Sequence, residues 1–192
     1  IANERASLGG IAADGRVACL VPVAEGSTPG LTLLLRRYGT FTNASLDGAY
    51  HLVACGSGSG IHGGWTRWGT ATFNGSGGVA FSLSENRSGQ VFSWPVPDAS
   101  YTVAQDGAVQ IDLGADELRG GMLDGGELLV LGGSASWGGE PAFYVLIRKS
   151  TSATAATLNG PYHLVDLARP AAPFTPQPTV HCVTLNASAD GV

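Results

Sequence analysis

Residues 46–53 read LDGAYHLV, and this stretch recurs as LNGPYHLV at residues 158–165. The two copies lie 112 residues apart and share six of their eight positions, which is too long a match to arise from composition bias. A fixed internal period of this kind indicates a repeated structural unit. We therefore expect both stretches to form the same strand in two copies of one unit.

The match extends on both sides of the repeated stretch. Three further pairs of segments align at an offset of 111 or 112 residues: 8–17 with 119–128, 29–37 with 141–149, and 70–74 with 182–186.

These alignments divide the chain into one complete unit and two partial ones. Residues 46–150 are the complete unit, residues 1–39 are the second half of an earlier copy, and residues 158–192 are the first third of a later copy. Residues 40–45 and 151–157 are small and polar, as flexible surface links usually are, and we expect them to be connectors.

The complete unit alternates apolar and polar residues with a period of two, which is typical of strands with one buried face. Asn-Gly and Asp-Gly pairs separate the alternating segments and supply the positive φ of tight hairpins. Because closure removes exposed strand edges, this many consecutive strands favours an up-and-down barrel or a sandwich. Strands are predicted at residues 49–55, 66–73, 78–85, 89–94, 99–104, 108–113, 117–123, 127–131 and 142–149.

Composition excludes several classes of partner. The chain has a formal net charge of −5 and no cluster of Lys and Arg. Nucleic acids and anionic membranes require concentrated positive charge, so neither is expected. No apolar run is long enough for a membrane-spanning helix. The chain starts at Ile1 without an initiator Met or a signal-peptide pattern, so we expect it to be processed or cut from something longer.

Gly48, Ala49 and Tyr50 open the first strand of the complete unit, and Arg148 lies near the end of its last strand. This arrangement is similar to that of the lipocalin or calycin family. In that family a Gly-x-Trp motif opens the first strand, and an Arg or Lys of the last strand packs across its ring. Tyr50 stands here in place of the Trp. The resemblance implies an all-β, antiparallel meander barrel that Tyr50 and Arg148 close.

Three segments also resemble a class of bacterial modules that read L-x-G-x-Y, then T-F-x-G-x-G, then Y-T-V-x-x-D-G. In this chain they are residues 46–50, 72–77 and 101–107. Such modules resemble calycin-like barrels of extracellular bacterial proteins. The resemblance therefore implies an extracellular or cell-surface location.

The two partial units are complementary. The later copy supplies an opening strand with Tyr162, and the earlier copy supplies a closing strand with Arg36 and Arg37. Since the first and last strands of a meander barrel are neighbours, the two partial units are predicted to form a second, partial, circularly permuted β-domain. Three arrangements remain open: pairing within one chain, pairing between chains, and a fragment ordered by a larger protein around it.

The three cysteines allow at most one disulfide within the chain. Cys19 and Cys182 fall in the same composite domain and form the candidate disulfide, whereas Cys55 lies in the complete unit. The alternative is that all three are small buried strand residues.

No spacing of His, Cys, Ser, Asp or Glu matches a catalytic or metal motif, so neither an enzyme nor a cofactor is expected. His62, in a Gly-rich loop, and the nearby Trp65 and Trp68 are the candidate ligand or rim residues. We therefore predict a structural module that assembles with itself or with neighbouring repeats, as in a fibre or array. The alternative is a calycin-type barrel that binds a small ligand near Trp65 and Trp68.

Overall fold

The computed structural model of the chain describes residues 7–22, 31–57, 64–94, 96, 98–114, 116–135, 140–153, 157, 160–168 and 179–187. In this part of the chain the protein is all-β and contains no α-helix, as predicted. The strands in chain order are β1 (Ser7–Ile11), β2 (Val17–Pro22), β3 (Thr32–Leu35), β4 (Asp47–Ser57), β5 (Gly64–Asn74), β6 (Gly78–Arg87), β7 (Gln90–Trp94), β8 (Ala99–Val103), β9 (Ala108–Asp112), β10 (Glu117–Met122), β11 (Leu128–Ala135), β12 (Glu140–Arg148), β13 (Gly160–Ala168) and β14 (Thr179–Ala187).

Eight of these strands form a closed antiparallel barrel in the order β4, β5, β6, β8, β9, β10, β11 and β12. The first and last strands close the ring, with Arg148 opposite Tyr50 and Ala142 opposite Gly56. Strand β7 is an additional strand that pairs with the last residues of β6. The predicted meander barrel is thus confirmed, and nine strands lie close to the predicted bounds.

Inward positions of the barrel carry the core, and outward positions are exposed, as the period-two pattern requires. Two glycines mark places where neighbouring backbones come very close. A Cβ at Gly69 would collide with the Ser82 carbonyl oxygen, and a Cβ at Gly120 with the Val130 carbonyl oxygen. Glycine inside a strand allows this approach and the sharp bend that a small barrel needs. The largest fully buried side chains are Leu46, Tyr50, Leu52, Phe73, Ile111, Leu118, Met122, Leu129, Leu131 and Leu146.

The connector at residues 40–45 closes one end of the barrel, which the expectation of a surface link did not include. Phe41 is only 3% exposed, and a 3-10 helix follows it at Asn43–Ser45. The Asn43 side-chain oxygen accepts a hydrogen bond from the Val103 backbone N–H at 2.8 Å. The hydroxyl group of Tyr101 lies 2.8 Å from the Leu46 carbonyl oxygen, to which it donates.

The two flanking segments form their own sheets. Strands β1, β2 and β3 make a three-stranded antiparallel sheet, which we term the head sheet, and β13 and β14 make a two-stranded sheet, which we term the tail hairpin. In the part of the chain that the structure describes, β3 pairs only with β2, and β13 only with β14. Among the described strands no ladder joins the two flanks, and their composite domain stays a prediction.

Candidate functional sites: the head sheet and the two ends of the barrel

Tyr50 and Arg148 meet at the closed end of the barrel. The guanidinium carbon of Arg148 lies 5.1 Å from the centroid of the Tyr50 ring, within the range of a cation–π contact. The Tyr50 hydroxyl donates a hydrogen bond to the Gly126 carbonyl oxygen at 2.7 Å. Burial raises the pKa of Tyr50 to about 12, and the positive charge of Arg148 opposes that shift. The structure therefore brings together the pair that the sequence proposed as the closure of the barrel.

Arg148 also fastens the backbone around this end. Its Nη1 donates to the Asp47 carbonyl oxygen at 2.6 Å, and its Nη2 donates to the Ser45 carbonyl oxygen at 3.0 Å. Through these two bonds, the last strand holds both the first strand and the connector. An open groove of about 550 Å³ borders Arg148, next to Phe41 and Asp124.

A buried charged cluster lies toward the opposite end of the barrel. Arg67 and Glu85 are only 5% and 3% exposed, and Arg67 Nε donates to Glu85 Oε2 at 2.7 Å. Arg67 Nη1 donates to the Tyr144 hydroxyl at 2.8 Å, and Arg87 Nε donates to the second Glu85 oxygen at 2.9 Å. Burial raises the pKa of Tyr144, while the charge of Arg67 lowers it. We call Trp65, Arg67, Glu85 and Tyr144 the lumen cluster.

Trp65 completes the lumen cluster. The centroid of its ring lies 4.1 Å from the guanidinium carbon of Arg67 and 6.2 Å from the centroid of the Tyr144 ring. The Trp65 Nε1 is buried and has no hydrogen-bond partner among the described residues. A cavity of about 20 Å³ lies between Arg67, Leu118 and Tyr144. That volume holds about one water molecule, because a water requires roughly 10–15 Å³ on the same measure.

The head sheet repeats the hydrogen-bond register of the last three barrel strands at every rung. Leu8 pairs with Val21, and the residues 111 positions further on, Arg119 and Gly132, pair in the same way. The β2–β3 ladder matches the β11–β12 ladder as consistently, each β2 residue being shifted by 111 positions and each β3 residue by 112.

The turns at the ends of these strands also correspond. Gly15 donates its backbone N–H to the Ala12 carbonyl oxygen at 2.7 Å, and Gly126 donates to the Leu123 carbonyl oxygen at 2.9 Å. Gly15 and Gly126 both have positive φ, 69° and 66°, which glycine adopts readily. The head sheet is thus the geometric equivalent of β10, β11 and β12.

The equivalent core positions differ in exposure. Met122 and Leu146 are fully buried in the barrel, whereas their counterparts Ile11 and Leu34 are 70% and 51% exposed. Burying a side chain of this size contributes about 1.5–3 kcal/mol. The head sheet therefore presents a core-type face that the rest of the described chain does not cover.

Arginines hold the head sheet against the closed end of the barrel. Arg16 Nη2 donates to the Asp124 carbonyl oxygen at 3.0 Å and to Glu127 Oε2 at 3.1 Å. Arg37 Nη1 donates to Asp106 Oδ2 at 2.7 Å. The Ala108 backbone N–H and the Arg37 guanidinium keep the pKa of Asp106 below its usual range. These ion pairs are solvent-exposed, so each contributes little stability.

Arg36, the equivalent of Arg148, has a different aromatic partner. Its guanidinium carbon lies 4.5 Å from the centroid of the Tyr38 ring, three residues before Phe41. The opening-strand tyrosine that the sequence assigned to this position, Tyr162, lies in β13 opposite Leu185, and its side chain lies outside the described residues.

The structure places the two described rim candidates on opposite faces of β5. Trp65 points into the barrel and is 2% exposed, whereas Trp68 lies on the outer face of β5 and is 41% exposed. Three positions along a strand place side chains on opposite faces, which is why the two indoles separate. His62 falls outside the described residues. Cys19 lies in β2 and Cys182 in β14, and because the Cys182 side chain is not described, their disulfide stays a prediction.

Sequence reasoning singled out Trp65 but missed the other members of the lumen cluster, Arg67, Glu85 and Tyr144. Arg67 has the same strand parity as Trp65 and Phe73, and Glu85 the same parity as Val79 and Leu83, so a signal was present. Two opposite charges at inward positions of neighbouring strands indicate a buried ion pair.

Comparison of the chain with known protein families, with curated proteins and with solved structures gave no significant match. Among the described residues, no helix has the length and apolar character to cross a membrane. Within the same residues, no three His, Cys, Asp or Glu side chains lie close enough together to share a metal ion.

Proposed function

We propose that the chain is a structural module of a secreted or cell-surface bacterial protein, and that it joins neighbouring copies by pairing its flanking strands. The location rests on the resemblance of residues 46–50, 72–77 and 101–107 to extracellular bacterial modules. The assembly role rests on one observation, the exposed core-type face of the head sheet at Ile11 and Leu34.

An exposed face of this kind favours a contact with another copy. The head sheet has the same register as β10, β11 and β12. In the barrel, further strands complete the ring and bury the inner face of these three strands. Contiguous exposed apolar surface on a folded protein commonly marks an interaction site. Because a head-to-tail contact uses two different surfaces, repeated contacts build an open chain of copies unless the rotation closes a ring.

The filled barrel also supports a structural role. The core side chains occupy the lumen, and the cavity beside Arg67 and Tyr144 has room for about one water. Main-chain hydrogen bonds between added strands supply affinity without any ligand pocket.

Sedimentation velocity over a concentration series tests the assembly role. We expect the wild-type chain to form larger species with rising concentration, and the Leu34→Lys variant to remain monomeric, since a charge at position 34 cannot be buried without cost. Val91→Lys is the matched control, because Val91 is 62% exposed but belongs to β7, outside the head sheet. Wild-type chains that stay monomeric at high concentration would contradict the proposal.

A second candidate function is binding of a small ligand in the barrel. The unpartnered Trp65 Nε1 next to the Arg67 guanidinium favours an acceptor-bearing, anionic ligand at that end. In a Leu34→Lys background, which removes the apolar head face, this candidate predicts one-to-one binding of a small inorganic anion such as bromide, because the cavity beside Arg67 holds about one water. The Arg67→Met variant should lose that binding. If the probe binds neither protein, this candidate is wrong.

A further inference from the structure

We infer that the free edge of β3 is completed by β13 of a second copy, in a register that places Arg36 opposite Tyr162. This inference rests on the proposed assembly role and adds the identity of the partner strand and its register.

The barrel itself supplies the register. Strand β12 pairs with β4 so that Arg148 is opposite Tyr50 and Leu146 is opposite Leu52. Strand β3 occupies the place of β12 at an offset of 112 residues, as its ladder with β2 shows. The sequence repeat places β13 at the position of β4 with the same offset. Transfer of the β12–β4 ladder therefore sets Arg36 opposite Tyr162 and Leu34 opposite Leu164.

The free edges have the correct side and sense. In the barrel, one edge of β12 pairs with β11 and the other with β4, and one edge of β4 pairs with β5. In the flanks, β3 uses the first of these edges for β2, since Arg36 donates to Arg16 as Arg148 donates to Glu127. The sequence repeat assigns the β14 edge of β13 to the edge of β4 that pairs with β5. Among the described strands, the remaining edges of β3 and β13 are the two that pair with each other in the barrel.

The tail hairpin differs from its barrel counterpart in one respect that leaves this edge unchanged. Tyr50 pairs with Ala71, whereas Tyr162 pairs with Leu185 rather than with Val183, the residue 112 positions after Ala71. The shift equals two residues. A shift of two residues keeps every position on its original face, because side chains alternate with a period of two.

In the single chain, Arg36 has a different aromatic partner from the one that its equivalent has in the barrel. Its equivalent, Arg148, contacts the ring of the tyrosine in the neighbouring first strand, whereas Arg36 contacts the ring of Tyr38, two residues further along its own segment. In the paired state the guanidinium group of Arg36 moves to the ring of Tyr162, and the added strand covers Leu34. Among the described strands, the head sheet and the tail hairpin of one chain are separate sheets, and we therefore assign the partner strand to a second copy.

Cysteine crosslinking tests the register. The Lys149 backbone N–H donates to the Ala49 carbonyl oxygen at 2.8 Å, which makes that rung a hydrogen-bonded pair. Rungs alternate, so the Leu146–Leu52 rung is a non-hydrogen-bonded pair, with Cα atoms about 4.5 Å apart, close enough for a disulfide. The same geometry is expected for Leu34 and Leu164 in the assembled protein.

The experiment uses full-length chains in which Cys19, Cys55 and Cys182 are replaced by Ser and folding is verified by circular dichroism. One chain carries Leu34→Cys and the other Leu164→Cys, and the two are mixed at high concentration and oxidised. We expect a crosslinked dimer of the two chains as the main product. The matched control pairs Leu35→Cys with Leu164→Cys, whose side chains point to opposite faces and should not crosslink.

The outcomes separate the register from the assembly role. Oligomers in sedimentation without the Leu34–Leu164 crosslink, or with equal crosslinking of the control pair, would overturn the register but not the assembly role. Monomers at every concentration would overturn both. A third chain carries both Leu34→Cys and Leu164→Cys. If it crosslinks internally at high dilution and does not join a second chain, pairing occurs within one chain and the assignment to a second copy is wrong.

Discussion

The closure of the barrel at Arg148 can be tested by removing one side chain. Arg148→Ala deletes the hydrogen bonds to the carbonyl oxygens of Ser45 and Asp47, at 3.0 and 2.6 Å, and the contact with the Tyr50 ring at 5.1 Å. Hydrogen bonds from charged groups contribute roughly 1.5–3 kcal/mol each, and the side chain is half-buried, so the lower value applies. With about 0.5 kcal/mol for the cation–π contact, we expect a loss of about 3.5 kcal/mol in unfolding free energy.

Urea unfolding followed by tryptophan fluorescence measures this loss. At a slope of about 2 kcal/mol per molar urea, the urea midpoint should fall by about 1.8 M. Arg148→Lys keeps the charge but not the planar fork, so about half of the loss should remain. Arg119→Ala is the control, because Arg119 is 71% exposed and its pairing with Glu117 contributes little. A loss below about 1 kcal/mol for Arg148→Ala, or one equal to that of the control, would refute the role of Arg148.

Three further predictions concern the barrel. The unfolded chain releases the Tyr50 proton near pH 10, whereas the folded chain releases it only at a pKa of about 12. The free energy of unfolding should therefore fall by about 3 kcal/mol as the pH rises between these values. Urea unfolding at each pH measures this fall, which should be smaller in Tyr50→Phe. Glu85→Leu alone should lower the free energy of unfolding by about 3–5 kcal/mol, because it removes the carboxylate that pairs with the buried Arg67. The double variant Glu85→Leu, Arg67→Met should have nearly the wild-type value in the same assay. Equal losses in the two variants would argue against a buried ion pair. Gly120→Ala should lower the thermal midpoint strongly, because its Cβ would collide with the Val130 carbonyl oxygen of the adjacent strand. Gly132→Ala should not, because its Cβ would lie 3.8 Å from the nearest atom, the Ala142 carbonyl oxygen. Similar midpoints for the two variants would contradict the close approach at Gly120.

Much of the barrel follows from the sequence because its determinants are local. Alternation of apolar and polar residues specifies each strand, and glycine pairs such as Asn74-Gly75 and Asp106-Gly107 specify the turns. The closing pair, Tyr50 and Arg148, follows from a family resemblance rather than from the pattern itself. The register of the head sheet follows from the repeat, because identical spacing leads to identical ladders.

The remaining features depend on three-dimensional context. Phe41 lies in a segment that is otherwise small and polar, and only the folded barrel shows that its ring fills one end. Arg67 and Glu85 pair across neighbouring strands, so their partnership needs the register as well as the parity. Trp65 and Trp68 are close in sequence, but they lie an odd number of residues apart in β5, so their side chains are on opposite faces. The exposure of Ile11 and Leu34 becomes meaningful only beside the buried counterparts Met122 and Leu146.

Hydrogen–deuterium exchange of the head sheet tests the central claim most directly. The backbone amides of Thr32–Leu35 should exchange rapidly at high dilution and slow markedly as the concentration rises, because an added strand then covers the edge of β3. Amides in β12, which is already paired on both edges, should show no change with concentration. Exchange in β3 that is independent of concentration would contradict the claim that a second copy completes the head sheet.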